Sequence, residues 1–263
     1  MHTEVVISAI AGRSPRIHAV GGLAVRQTGP HRLHLVSAAA TPLGGDTIRV
    51  VVRVAPGARL HLTAVAATMA MPSRPDRTSY ADWEVEVGAG GRLLLDPLPT
   101  LVAGGADHES VCRVSAAVDA SVTVTEAVQI GRTGETAGAW SGRLDADIDG
   151  TPVLRHRLEL PLADPSRLGQ PAAPTVRCAV STLTHPDPRP TAVSDTEVCA
   201  RLVLPASSVT GSSPSTTLTT AMGRSLTAVR AAISALDPAP ATGAVAENGV
   251  GEDRPQGRPA QLA

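Results

Sequence analysis

The stretch Arg49–Ala64, "RVVVRVAPGARLHLTA", decides how this chain folds. With Ile48 included, Ile48, Val50, Val52 and Val54 share one face, while Arg49, Val51 and Arg53 share the other. That period of two marks a half-buried strand. Pro56-Gly57 then supplies turn residues, and Leu60 and Leu62 resume the alternation in "RLHLTAV". The unit returns as "DWEVEVGAGGRLLLDP" and more faintly as "SVCRVSAAVDASVTVTEA". Aligned on the turn, the copies begin at Pro56, Ala89 and Val118, steps of 33 and 29 residues. A strand–turn–strand unit recurring at this period predicts stacked coils. The expected fold class is mainly β, a β-helix-like or layered β-solenoid rather than a closed sandwich.

Working outward, "GRLDADIDGTPVLRHRLEL" reads as a hairpin, because Asp149-Gly150 is a two-residue turn signal between alternating runs. Pro165, Pro171 and Pro174 then break the pattern into loop and short helix. Near the C-terminus, Leu218, Met222, Leu226, Val229, Ile233 and Leu236 form one stripe at helical spacing. This predicts one long C-terminal α-helix, capped by Ser213 before Pro214, stopped at Asp237-Pro238 and docked on the sheet. Residues 1–237 are expected to form one β-rich domain. Residues 238–263, rich in Ala, Pro, Gly and Gln without any period, are expected to be a disordered tail.

The chain is 43% hydrophobic yet 1% aromatic, with no Phe, so its core must be Val, Leu, Ile and Ala. Its net charge of −1 gives no basic excess for nucleic acid or an anionic membrane. Lysine is absent from the sequence, which excludes Schiff-base, P-loop and Ser-x-x-Lys chemistry. Three distant cysteines, Cys112, Cys178 and Cys199, fit neither a zinc ribbon nor a secreted disulfide framework. The N-terminal stretch has no basic region before an apolar run, and no apolar run reaches spanning length. The expected address is the cytoplasm.

Candidate chemistry is sparse. His31-x-x-His34 lies in a strand-like segment whose i and i+3 side chains point apart, so the two cannot chelate one ion. His156 shares a face with Leu154, Leu158 and Leu160 and reads as a hydrogen-bonded core histidine. Glu126 is less ordinary, because it is in phase with Val122, Val124 and Val128. A carboxylate on an apolar face must be paired, protonated or facing internal water. "IGRTGE" fails as a phosphate loop, and no G-x-S-x-G is present. Asp46, after Gly44-Gly45, reads from its own segment as a turn residue.

Five segments in order, "GGLAVRQTGP", "TPLGGDTIRV", "PLPTLVAGGA", "EAVQIGRTGE" and "RLDADIDGTPVLRHRLEL", resemble the urease accessory protein family UreD, also called UreH. The resemblance runs from about Gly21 to Leu236. It implies a non-enzymatic maturation factor with a β-helix-like fold. Such a factor binds UreF, through which UreG is recruited, and docks on apo-urease. It also implies delivery of nickel to an active site completed by a carbamylated lysine, through a water-filled tunnel and without a tightly bound cofactor. Asp46, Glu126 and Glu135 match the family's acidic positions and become the candidate nickel path. Several positions depart from the family pattern. Met69 and Met71 stand where a lysine and an aromatic are usual. Leu94 and Leu95 replace an acid and an aromatic before the proline, leaving Asp96, and His156 replaces an acid. Two other readings are a structural or adhesive β-solenoid without a metal role and a β-helix enzyme acting on acidic polysaccharide. Balanced charge opposes the last, and the five ordered segments oppose the former.

Overall fold

A computed structural model describes residues 1–132, 134–135, 138–161, 176–204 and 215–237. Its first sheet contains β1 (His2–Ala9), β2 (Arg16–Val20), β5 (Thr47–Val54), β8 (Thr78–Val87), β11 (Asp107–Ala116), β13 (Ala139–Ile148) and β14 (Thr151–Leu160). A second sheet contains β3 (Leu23–Gly29), β4 (Arg32–Ser37), β6 (Arg59–Ala64), β9 (Arg92–Asp96), β12 (Ser121–Ile130), β15 (Cys178–His185), β16 (Ala192–Val193), β17 (Val198–Leu204) and β18 (Thr216–Gly223). Two short strands, β7 (Thr68–Ala70) and β10 (Thr100–Val102), pair in parallel beside β12.

The quoted stretch is one coil of this stack. β5 lies in the first sheet, turns at Pro56-Gly57 and continues as β6 in the second. Thr47 faces Tyr80 and Arg59 faces Arg92, a step of 33 residues in both sheets. Thr78 faces Asp107 and Arg92 faces Ser121, a step of 29. Both steps are those of the sequence repeat. The corners stack through the backbone: Gly57 N–H donates to Ala89 O at 2.9 Å, Gly88 N–H to Val54 O at 2.9 Å and Ala117 N–H to Val87 O at 2.9 Å. Strands in phase bury Val50, Val52, Leu60, Leu62, Leu93, Leu95, Val122 and Val124 between the two sheets. Because one face of each strand is buried, a slip of one residue would turn this whole set to water, and the register is thereby fixed.

The hairpin between β13 and β14 is as expected, with Asp149 at φ +48° and Gly150 at φ +72°. Positive φ at both positions is the geometry that matches strand twist in a two-residue turn. The C-terminal helix corrects the expected length. It spans only Leu226–Ala235 (α1), and Ser225 is its N-cap, accepting from Ala228 N–H at 3.2 Å. Leu218 and Met222 belong to β18 instead. A spacing of four places residues on one face of a strand as well as of a helix, and the β-branched run of threonines at 216, 217, 219 and 220 favours the strand. The expected cap at Ser213, the prolines at 165, 171 and 174, and the tail 238–263 lie outside the described residues.

α1 docks Leu226, Val229, Ile233 and Leu236 on Cys178, Val180, Cys199 and Ala221, on the outer side of the second sheet. Its end is latched by charge. Arg201 is 1% exposed, and its guanidinium holds the Asp237 carboxylate through three bonds of 2.8–2.9 Å. Arg189 joins Asp237 at 2.9 Å and Asp187 at 2.8 Å. None of the described helices is long and apolar enough to cross a membrane.

Candidate functional site

Glu126 sits midway along β12, two residues beyond Val124 on the inward face. Its carboxyl borders a cavity of about 210 Å³ between the sheets. Ile48, Trp83, Cys112 and Leu144 make most of this cavity apolar, while His108, Ser110 and Thr125 add polar groups. Val65 and Leu98, 56% and 37% exposed, lie on the same wall, so the cavity opens toward solvent beside them. Burial pushes the Glu126 carboxyl up to about 7, against a hydrogen bond with Ser110 that favours the charged form. Burial likewise lowers His108 to about 4, and its Nδ1 lies 2.9 Å from Ser79 Oγ. His108 is therefore neutral at physiological pH, and Glu126 is poised between a neutral acid and an anion.

Gly142 on β13 makes this arrangement fit. A Cβ there would fall on the Trp140 ring and 3.0 Å from Glu126 Oε2. The missing side chain leaves room for both the indole and the carboxyl. Sequence reading found Glu126 but missed Ser110, His108, Trp140 and Gly142. The available signal was phase: "DHESVCRVSA" places His108 and Ser110 on the same inward face as Val114.

Asp46 is arranged differently. It is 5% exposed and caps its own turn. One oxygen accepts from Leu43 N–H and Thr41 Oγ1, both at 2.9 Å, and the other from the Met1 amino group. Burial raises its pKa, but these hydrogen bonds together outweigh burial and the net shift is downward. Gly45, at φ +85°, gives the turn its shape. The turn reading of Gly-Gly-Asp accounts for its carboxylate contacts. Asp46→Ala is expected to cost about 2 kcal/mol, since it orphans the buried Thr41 hydroxyl and the half-buried Leu43 N–H. Urea unfolding at neutral pH checks this, and an unchanged midpoint would show the turn to be indifferent to the carboxylate.

Glu135 lies in the loop between β12 and β13, tied to Arg132 Nε at 2.7 Å and to the backbone N–H groups of Arg132 and Gly104 at 3.1 and 3.3 Å. The Arg132 guanidinium holds its carboxyl down at about 2. The three candidate carboxylates thus stand at the head of β5, the middle of β12 and a loop. Among the described residues no group of three His, Cys, Asp or Glu side chains could hold a metal ion. His34 contacts Thr28 Oγ1 at 2.9 Å, and His31 precedes the strand. His156 is half-buried, and among the described residues its buried Nε2 has no hydrogen-bond partner. Of the departing positions, Leu95 is core, Leu94 is exposed, Met69 faces Leu101, and Met71 bridges to Leu43.

The sequence pattern described as UreD urease accessory protein matches residues 17–246. The chain belongs to the UreD family. It is 39% identical over 139 residues to urease accessory protein UreD 1 of Saccharopolyspora erythraea, covering 53% of this chain and 54% of that one. Against UreD of Frankia alni it is 42% identical over 118 residues, 45% of this chain and 40% of the relative. A longer match, 34% over 203 residues, covers 74% of this chain and 78% of UreD 3 of Streptomyces griseus subsp. griseus. The chain thus spans about half the length of the first two curated relatives. The UreD match encloses β3 to α1 and so includes the cavity and all three candidate carboxylates.

Proposed function

We propose that this UreD-family chain is a non-enzymatic urease maturation factor acting in the cytoplasm. With UreF, and with UreG recruited through UreF, it docks on apo-urease and helps deliver nickel. The carrying observation is the Glu126 carboxyl on a largely apolar cavity inside a chain of this family. Nickel is cargo, and no cofactor is held tightly. Carboxylate oxygen and imidazole nitrogen suit such a borderline cation, and a single carboxylate binds it weakly enough to release it. Glu126 makes the transient contact once deprotonated. Asp46 and Glu135 belong to the same proposed path at its margins, where Thr41 and Arg132 must release their oxygens before they touch the ion.

Glu126→Gln in the maturation complex tests this, because it keeps the shape but removes the charge. Urease matured with the variant is expected to hold less nickel per active site, with the variant folded and bound to its partners. Full nickel content with this variant would end the role of Glu126.

A further inference from the structure

The two sheets carry their outward charge differently. On the first sheet the arginines of β5, β11, β13 and β14 have carboxylate neighbours. Arg49 meets Glu4 and Glu84, Arg53 meets Glu86, Arg113 meets Asp82, Arg143 meets Asp145, Arg155 meets Asp147 and Arg157 meets Glu159. On the second sheet Arg26, Arg32, Arg59 and Arg92 all point outward, each beside a buried Val25, Leu33, Leu60 or Leu93, and all are exposed. Among the described residues none of these four has a carboxylate within 4.0 Å.

Register concentrates the charge. Arg59 lies directly opposite Arg92, Arg32 opposite His61, and Arg26 opposite His34. Neighbouring strands are about 4.8 Å apart, and like charges directly opposite are unfavourable. His61 adds no relief. Its pKa is lowered by burial and then by Arg32, whose Nε donates to His61 Nδ1 at 3.2 Å. One acid, Asp96, shares the face, opposite Thr63. Leu94, 39% exposed, stands beside His61 on β9, at the margin of the field nearest β12. α1 packs on the other half of the sheet, on β15, β17 and β18, and among the described elements none packs on the outer face of this half.

We propose that the outer face of β3, β4, β6 and β9 docks an acidic segment of a partner protein. Four guanidiniums against one carboxylate define the complement, since arginine pairs carboxylates in a planar, bidentate fashion. Leu94 adds an exposed apolar contact beside the guanidiniums, on β9. Nucleic acid fits less well. The face has no aromatic side chain on which bases could stack, and the chain's net charge of −1 lacks the expected basic excess. The field is roughly 15 Å across three strand spacings, the reach of a short segment.

The test uses the full chain and a fluorescein-labelled deca-glutamate peptide, read by anisotropy at low and moderate salt. Saturable, salt-sensitive binding is expected. Arg92→Glu should weaken it at least tenfold, while Arg113→Gln, on the other sheet, leaves it unchanged. Arg92→Glu should also melt at or above the wild-type temperature, because the new carboxylate would face Arg59 and turn a like-charge contact into an attractive one. No peptide binding by the wild type, equal binding by Arg92→Glu, or a fall in its melting temperature overturns the proposal. So does tighter binding of a 20-nucleotide oligo-dT or of phosphatidylserine vesicles.

Discussion

Asp237→Ala is expected to lower stability by about 3 to 5 kcal/mol, because it removes the partner of a buried cation. Arg201 is 1% exposed, and without Asp237 its guanidinium keeps, among the described residues, only the Pro190 carbonyl, 3.2 Å from Nε. Asp237 is itself 46% exposed, so water reaches one side of the pair, and the lower end of the range is expected. The loss should fall first on α1, whose last turn ends at the latch, and amide exchange in Leu226–Ala235 should rise before that of β5 or β8. The companion variant Asp237→Ala with Arg201→Met separates charge from packing. Methionine removes the unpaired cation and fills much of its volume, so most of the lost stability should return. A single variant as stable as wild type would show that Arg201 swings to solvent. A double variant worse than the single would show that Arg201 holds the strand by something other than this pair.

Glu126→Gln is expected to change how stability responds to pH. In the folded chain the carboxyl ionises near 7, against 4.5 when free in solution. A folded value above the unfolded one means that folding favours the protonated acid. That contribution is whole below about 4.5, declines as pH rises and is gone above about 7. The shift corresponds to at most about 3 kcal/mol, reduced by whatever water the cavity admits. Glutamine stays neutral and escapes the decline. Between pH 5 and 8 the variant should therefore gain on the wild type by up to about 3 kcal/mol in urea unfolding. A gap between the two proteins that does not change with pH would place the carboxyl in water. Because a bound cation and a bound proton compete for the same oxygens, the proposed nickel contact at Glu126 should strengthen as pH rises through 7.

The coil repeat was legible because every coil obeys the same local rule, apolar residues at every second position and turn residues at the corner. The steps of 33 and 29 residues in the sequence became strand registers in both sheets. The start of α1 was not legible, since the four-residue step from Leu218 to Met222 satisfies both periods. Glu126 stood out because a carboxyl among in-phase valines breaks a burial rule. Its surroundings did not, because Ser110 lies on the other strand of the same coil and Gly142 on the strand after it, and they meet it only once the fold is known. The surroundings of Asp46 and Glu135 were closer at hand. Thr41, Leu43 and Arg132 lie within five residues of them, and both segments could be read as turns. The basic face was likewise hidden, because Arg26, Arg32, Arg59 and Arg92 look scattered until four strands are laid side by side.

The parallel stack reverses direction at every end. β2 runs antiparallel to β1 and β14 to β13, while β3 is antiparallel to β4 and β15 to β12. A parallel solenoid left open would offer each terminal rung as a template for another chain, the route to filaments. Here three of the four outermost strands are poor templates. β14 carries Pro152 and alternating Arg155, Arg157 and Glu159, β16 has two residues, and β3 is bulged between Gln27 and Gly29. Growth of the stack is therefore confined to its middle. A duplicated coil of about 30 residues could enter only between existing rungs, and each one would lengthen the stack by a single strand spacing of about 4.8 Å. Chain length thus becomes a ruler for the distance between the two capped ends, with the caps keeping the molecule finite.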